Sequence, residues 1–105
     1  MKKFIEYISN ELSEWGIAYR VHATRRMFER GIEEKDIIEV LQEGTIIEEY
    51  LKDYPLPSFL LNRASTEDRP LHLVVAVDNL SKQLYIITAY EPDPLKWIDH
   101  FTRRV

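Results

Sequence analysis

The apolar period of this chain changes at Gly44, and that change restricts the fold more than any other feature. Before it, apolar residues recur at helical spacing. Ile5, Ile8, Leu12 and Trp15 form one stripe over residues 3–15, with Phe4 beside it and Gly16 as the stop. A second helix is expected over 22–30, closed by Gly31. A third follows: Glu33 is its N-cap, Ile32 and Ile37 form a hydrophobic staple, and the helix runs to about Glu43. Between the first two helices, Ile17–Val21 reads as a short edge strand or an extended lead-in.

After Gly44 the pattern is strand-like. Strands are expected at 45–54, 58–65, 71–78 and 83–91. They are separated by the Pro55 and Pro57 break, the polar TEDRP loop (66–70) and the NLSK turn (79–82). The segment LHLVVAVD (71–78) is almost continuously apolar, as befits a central strand buried on both faces. Asp93-Pro94 then reads as an N-cap and N1 proline, opening a terminal helix that includes Trp97, Ile98 and Phe101. Helices first, consecutive strands next and a helix last make an α+β domain. The expected architecture is N-terminal helices packed on one face of a roughly four-stranded antiparallel meander. One domain spans 1–105. The sheet's other face is left for a partner or a working surface.

Several function classes are excluded or weakened by composition. Without cysteine there is no disulfide, thiolate metal site or thiol nucleophile. No run of about 18 apolar residues exists to span a membrane. The N-terminus reads as an amphipathic helix and not a signal peptide, so a cytoplasmic protein is expected. The net charge of −4 argues against strong non-specific attraction to nucleic acid. That charge is uneven: residues 1–31 carry a net +2 and residues 32–55 a net −6. Positive charge gathers at Arg20–Arg30 and at Arg103 and Arg104, so a local basic site fits the chain.

The most informative stretch is Arg20–Ile32, RVHATRRMFERGI. On a helix turning about 100° per residue, His22, Arg26 and Arg30 fall near 0°, 40° and 80°. Ala23, Thr24, Met27 and Phe28 fall on the opposite, apolar side. A face needing only solubility mixes Lys with Glu. A His-Arg-Arg row instead offers planar donors suited to phosphate or carboxylate. Arg25 adds a further guanidinium nearby.

His72 lies inside the most apolar strand. There Leu71, Leu73, Val75 and Val77 share the bulkier face, so His72 points away from the helices. Thr88, Tyr90 and Glu91 lie near the end of the last strand. Two histidines and several arginines suffice for metal-free RNA cleavage. That reaction needs a base for the 2′-OH, an acid for the leaving 5′-oxygen and fixed positive charge on the phosphate. A zinc site is poorly served by two histidines without H-x-x-x-H spacing. Neither a P-loop, a Rossmann glycine pattern nor G-x-S-x-G is present.

HATRRMFERGI, EEKDIIEVLQEGTIIEEY, RPLHLVVAVD and YIITAYEPDPLKW, in this order over about residues 20–98, resemble a bacterial and archaeal domain-of-unknown-function family. Its signature is similar to H-A-x-x-R-M-x-x-R-G-I, a "plh-v-v" strand and a closing "i-T-x-Y-x-P" strand. The family is thought to be related to RelE and MqsR type toxins. The resemblance implies a RelE-like sheet and an mRNA endoribonuclease, ribosome-dependent or free. It also implies an antitoxin partner, often bearing a CxxC zinc ribbon. His22, His72 and Tyr90 become the catalytic candidates, and Arg25, Arg26, Arg30 and Thr88 the RNA-binding ones. No cofactor or metal is expected, and a homodimer is left open. The alternative is a non-catalytic protein- or RNA-binding module using the same His/Arg face.

Overall fold

The computed structural model describes residues 2–63 and 69–105. The chain is α+β. Its main sheet has five strands, β1 (Gly16–Tyr19), β2 (Thr45–Tyr50), β3 (Ser58–Arg63), β4 (Leu71–Asp78) and β5 (Gln83–Tyr90), in the order β1-β5-β4-β3-β2. From β2 to β5 the sheet is an antiparallel meander, as expected. β1 pairs in parallel with β5 at the sheet's edge, so the sheet is mixed and has one strand more than expected. Residues 64–65 of the expected second strand and 66–68 of the polar loop lie outside the described residues.

The helices are α1 (Phe4–Tyr7), α2 (Val21–Arg30) and α3 (Glu34–Glu43). The expected first helix over 3–15 is much shorter. Ser9 and Asn10 adopt left-handed backbone at φ 66° and 62°, and a 3-10 turn at Leu12–Glu14 follows. Short polar side chains compete for backbone groups and break helices in this way. Phe4, Ile8 and Leu12 still reach the core. Gly16 starts β1 instead of ending a helix.

α2 closes in a Schellman motif: Gly31 at φ 63° donates to Phe28, and Ile32 donates to Met27. α3 starts at the Glu33 N-cap, whose N–H donates to Asp36 Oδ2 at 2.9 Å. Ile32 and Ile37 are both buried at that junction.

Leu71, Leu73, Val75 and Val77 of β4 join Leu84, Ile86 and Ala89 of β5 in the core beneath the helices. Each fully buried side chain of this size contributes roughly 1.5–3 kcal/mol. Strict alternation along β5 would put Ile86, Thr88 and Tyr90 on one face. A bulge prevents this: Val74 pairs with Thr88 but Val75 with Ile86, leaving Ile87 as the extra residue. Parity flips there. Ile86 faces the core, while Thr88 and Tyr90 share the face of Val74 and His72.

That second face is partly covered by the C-terminal segment, where the expected terminal helix does not form. Asp93 makes a local turn, accepting from Leu95 and Lys96. Trp97–Ile98 (β6) and Arg103–Arg104 (β7) then pair as a two-stranded ribbon. Between them Asp99, His100 and Phe101 form a left-handed turn with φ of 53°, 57° and 66°. Such backbone costs roughly 1–2 kcal/mol per residue and persists only where its surroundings fix it. Two buried side chains fix it. Asn62 donates to the His100 carbonyl at 3.1 Å, and His72 Nε2 donates to the Phe101 carbonyl at 2.8 Å. A helix this short is marginal alone, and these bonds, with Trp97 buried against His72, outweigh it.

Candidate functional site

α2 packs on β5, and the groove between them opens into a cleft of about 370 Å³. Its walls are His22, Arg26 and Arg30 from α2, Thr88 and Tyr90 from β5, and residues of the C-terminal segment. Helical spacing puts the three α2 side chains on one line, about 6 Å apart per four residues. The β5 bulge turns Thr88 and Tyr90 to meet them.

Five of the seven sequence candidates therefore gather at one place. Arg25 does not line the cleft; it is exposed elsewhere on α2. Nor does His72, which is 0% exposed and sits behind Tyr90. This corrects the expected His22–His72 pairing at the reacting groups, because the imidazole that accompanies His22 is walled off by the phenol. The apolar side of α2 is also narrower than its spacing suggests. Ala23 is buried and Met27 packs on the core, but Phe28 is 89% exposed.

Lys96, Trp97 and Arg104 also line the cleft and were not among the sequence candidates. The concentration of basic residues at the chain's end was their only signal, and the expected helix gave no reason to bring them here. Arg104 is committed within the protein: it donates to Glu48 at 2.8 and 3.1 Å and stacks over Trp97 at 4.6 Å. Tyr50 also donates to Glu48. The Arg104 hydrogen bond holds the Glu48 carboxyl below the usual carboxylate range.

The cleft is cationic inside an acidic protein. Among the described residues, Arg26, Arg30 and Lys96 have no carboxylate partner. Of the two lining carboxylates, Glu91 is occupied by Arg69 at 2.8 Å and Asp93 accepts from the Leu95 N–H at 2.9 Å. Arg69 also donates to the carbonyls of Arg30 and Gly31 at 2.8 and 2.6 Å. It thus ties the end of α2 to the strand end and keeps Glu91 from quenching Arg30.

Tyr90, half-buried in this wall, has its hydroxyl 3.2 Å from His72 Nδ1. Burial raises the Tyr90 phenol above its ordinary pKa and lowers the His72 imidazole below its own. Both are therefore neutral near pH 7. The arrangement can hold an anion on the guanidiniums and move a proton at His22 or Tyr90.

The fold and cleft define a small α+β domain with a basic cleft between one helix and the end of a sheet. Residues 19–91 match the family described as a domain of unknown function (DUF4258), and the chain belongs to that family. No curated protein and no solved structure matches the chain. No helix among the described residues is long and apolar enough to cross a membrane.

Proposed function

We propose that the cleft binds single-stranded RNA and cleaves its phosphodiester without a metal ion. The observation carrying this reading is the convergence of cations lacking carboxylate partners with proton-transfer groups in one cleft. Arg26, Arg30 and Lys96 hold the scissile phosphate and its neighbour, and stabilise the charge that develops in the transition state. His22 and Tyr90 are the two groups that exchange protons with the substrate. The 2′-oxygen attacks phosphorus, the bond to the 5′-oxygen breaks, and a 2′,3′-cyclic phosphate and a 5′-hydroxyl result. Thr88 lines the cleft beside Tyr90 and donates to a phosphate oxygen.

The motifs resemble a family thought to be related to RelE and MqsR type toxins, and that relation supports the same chemistry. It extends the proposal to a cytoplasmic toxin of a type II toxin–antitoxin pair, silenced by an antitoxin that covers the cleft. The test is to incubate the purified chain with single-stranded RNA. Defined fragments that vanish in His22→Ala and Tyr90→Phe, but persist in Arg25→Ala, support the reading. Retained binding without fragments favours the non-catalytic module that uses the same face.

A further inference from the structure

His72 is fully buried, yet both ring nitrogens have partners. Nε2 lies 2.8 Å from the carbonyl oxygen of Phe101. A carbonyl can only accept, so Nε2 carries a hydrogen. That carbonyl is held in place by the left-handed turn at 99–101, which leaves it no alternative partner among the described residues. Burial keeps the imidazole neutral near pH 7, so Nε2–H is its one hydrogen and Nδ1 offers a lone pair. The Tyr90 hydroxyl, 3.2 Å away, must donate into that lone pair. Trp97 packs edge-on against the ring at 4.4 Å and closes off other orientations. A phenol has one hydrogen. With it directed inward, Tyr90 presents only oxygen lone pairs to the cleft.

We infer that His72 is a positioning residue that fixes Tyr90 as a hydrogen-bond acceptor facing the cleft, so that the cleft selects an anion with a hydroxyl group beside it. This inference rests on the RNA reading above and deepens it. On RNA the hydroxyl is the ribose 2′-OH next to the phosphate held by Arg26 and Arg30; DNA has none. It also assigns the proton-transfer roles. The 2′-OH proton passes to Tyr90 Oη as the Tyr90 proton passes to His72 Nδ1, while Nε2–H stays on Phe101. The bond from O2′ to phosphorus forms, the bond to O5′ breaks, and His22 donates a proton to O5′. The imidazolium on His72 then returns its proton through Tyr90, and His22 regains one from water.

Two measurements test this. The first is the ¹⁵N NMR spectrum of the His72 ring near pH 7. It should show the Nε2–H tautomer, with Nδ1 shifting in Tyr90→Phe; an Nδ1–H tautomer or an imidazolium overturns the inference. The second compares binding of matched ribose and deoxyribose oligonucleotides by the His22→Ala protein, which does not turn over. A single hydrogen bond predicts a ribose preference of about three- to tenfold. Adding Tyr90→Phe or His72→Leu should reduce the preference to unity. His72→Gln, which can both donate and accept, should restore part of it. Equal affinities before either substitution overturn the inference. If neither oligonucleotide binds, the RNA reading fails, and the ring tautomer alone decides whether Tyr90 faces the cleft as an acceptor.

Discussion

Replacing Arg26 should change how nucleic-acid binding responds to salt, and replacing Arg25 should not. The two residues are neighbours on α2 with the same charge, but only Arg26 lines the cleft. Three cleft cations are free of carboxylates among the described residues: Arg26, Arg30 and Lys96. For a single strand, log K falls with log salt at a slope of about −0.7 per neutralised phosphate, so three contacts predict about −2.1. Between roughly 50 and 200 mM salt, affinity should therefore fall about 18-fold. In Arg26→Ala the slope should ease to about −1.4, and the fall to about sevenfold. Fluorescence anisotropy with a labelled oligonucleotide whose 2′ positions are blocked reads binding without cleavage. Arg25→Ala should retain the full slope. Equal slopes for Arg25→Ala and Arg26→Ala would refute the argument, because binding would then report overall charge and not this cleft.

Two further predictions concern the scaffold. Gly31→Ala meets no atom within 4 Å, so its cost is only that of left-handed backbone at φ 63°; about 1 kcal/mol should lower Tm by about 4–8 °C. Gly44→Ala should cost more despite its ordinary φ, because the added carbon lies 2.4 Å from the Val40 carbonyl oxygen. Thermal unfolding of both variants checks the order, and a Gly44→Ala that melts above Gly31→Ala contradicts it. The second prediction is a pH dependence. His72 has a lowered pKa in the fold, through burial, so the unfolded chain takes the proton more readily. Its contribution is complete above about pH 6.5 and declines as pH falls, by at most about 1.4 kcal/mol per pH unit. His72→Leu should flatten the decline of stability below about pH 6.5, and an unchanged slope would show that this group is not responsible.

Much of this was legible because the patterns were long. The α2 row, the β4 alternation and the Gly31 stop follow from spacing alone, and they place His22, Arg26 and Arg30 on one side and His72 away from the helices. What was not legible depends on contacts distant in sequence. The register of β5 turns on a one-residue bulge at Ile87, invisible to periodicity, and that bulge decides where Thr88 and Tyr90 point. The C-terminal helix signal at Asp93-Pro94 was locally sound, but Asn62 and His72 capture the carbonyls of residues 100 and 101 instead. Lys96 and Arg104 reach the cleft only through that capture. The parallel β1 was ambiguous because four residues carry too short a pattern to define a partner. His72 was correctly read as facing the second side, but no spacing could reveal that Tyr90 stands between it and the cleft.

Whether the cleft's own side chains activate the 2′-hydroxyl of RNA is read from the chemical nature of the ends left when purified protein acts on RNA in excess EDTA. The expected ends are 2′,3′-cyclic phosphate and 5′-hydroxyl, absent with Tyr90→Phe. Cleavage that requires added metal, or that leaves 3′-hydroxyl and 5′-phosphate ends, would contradict such activation.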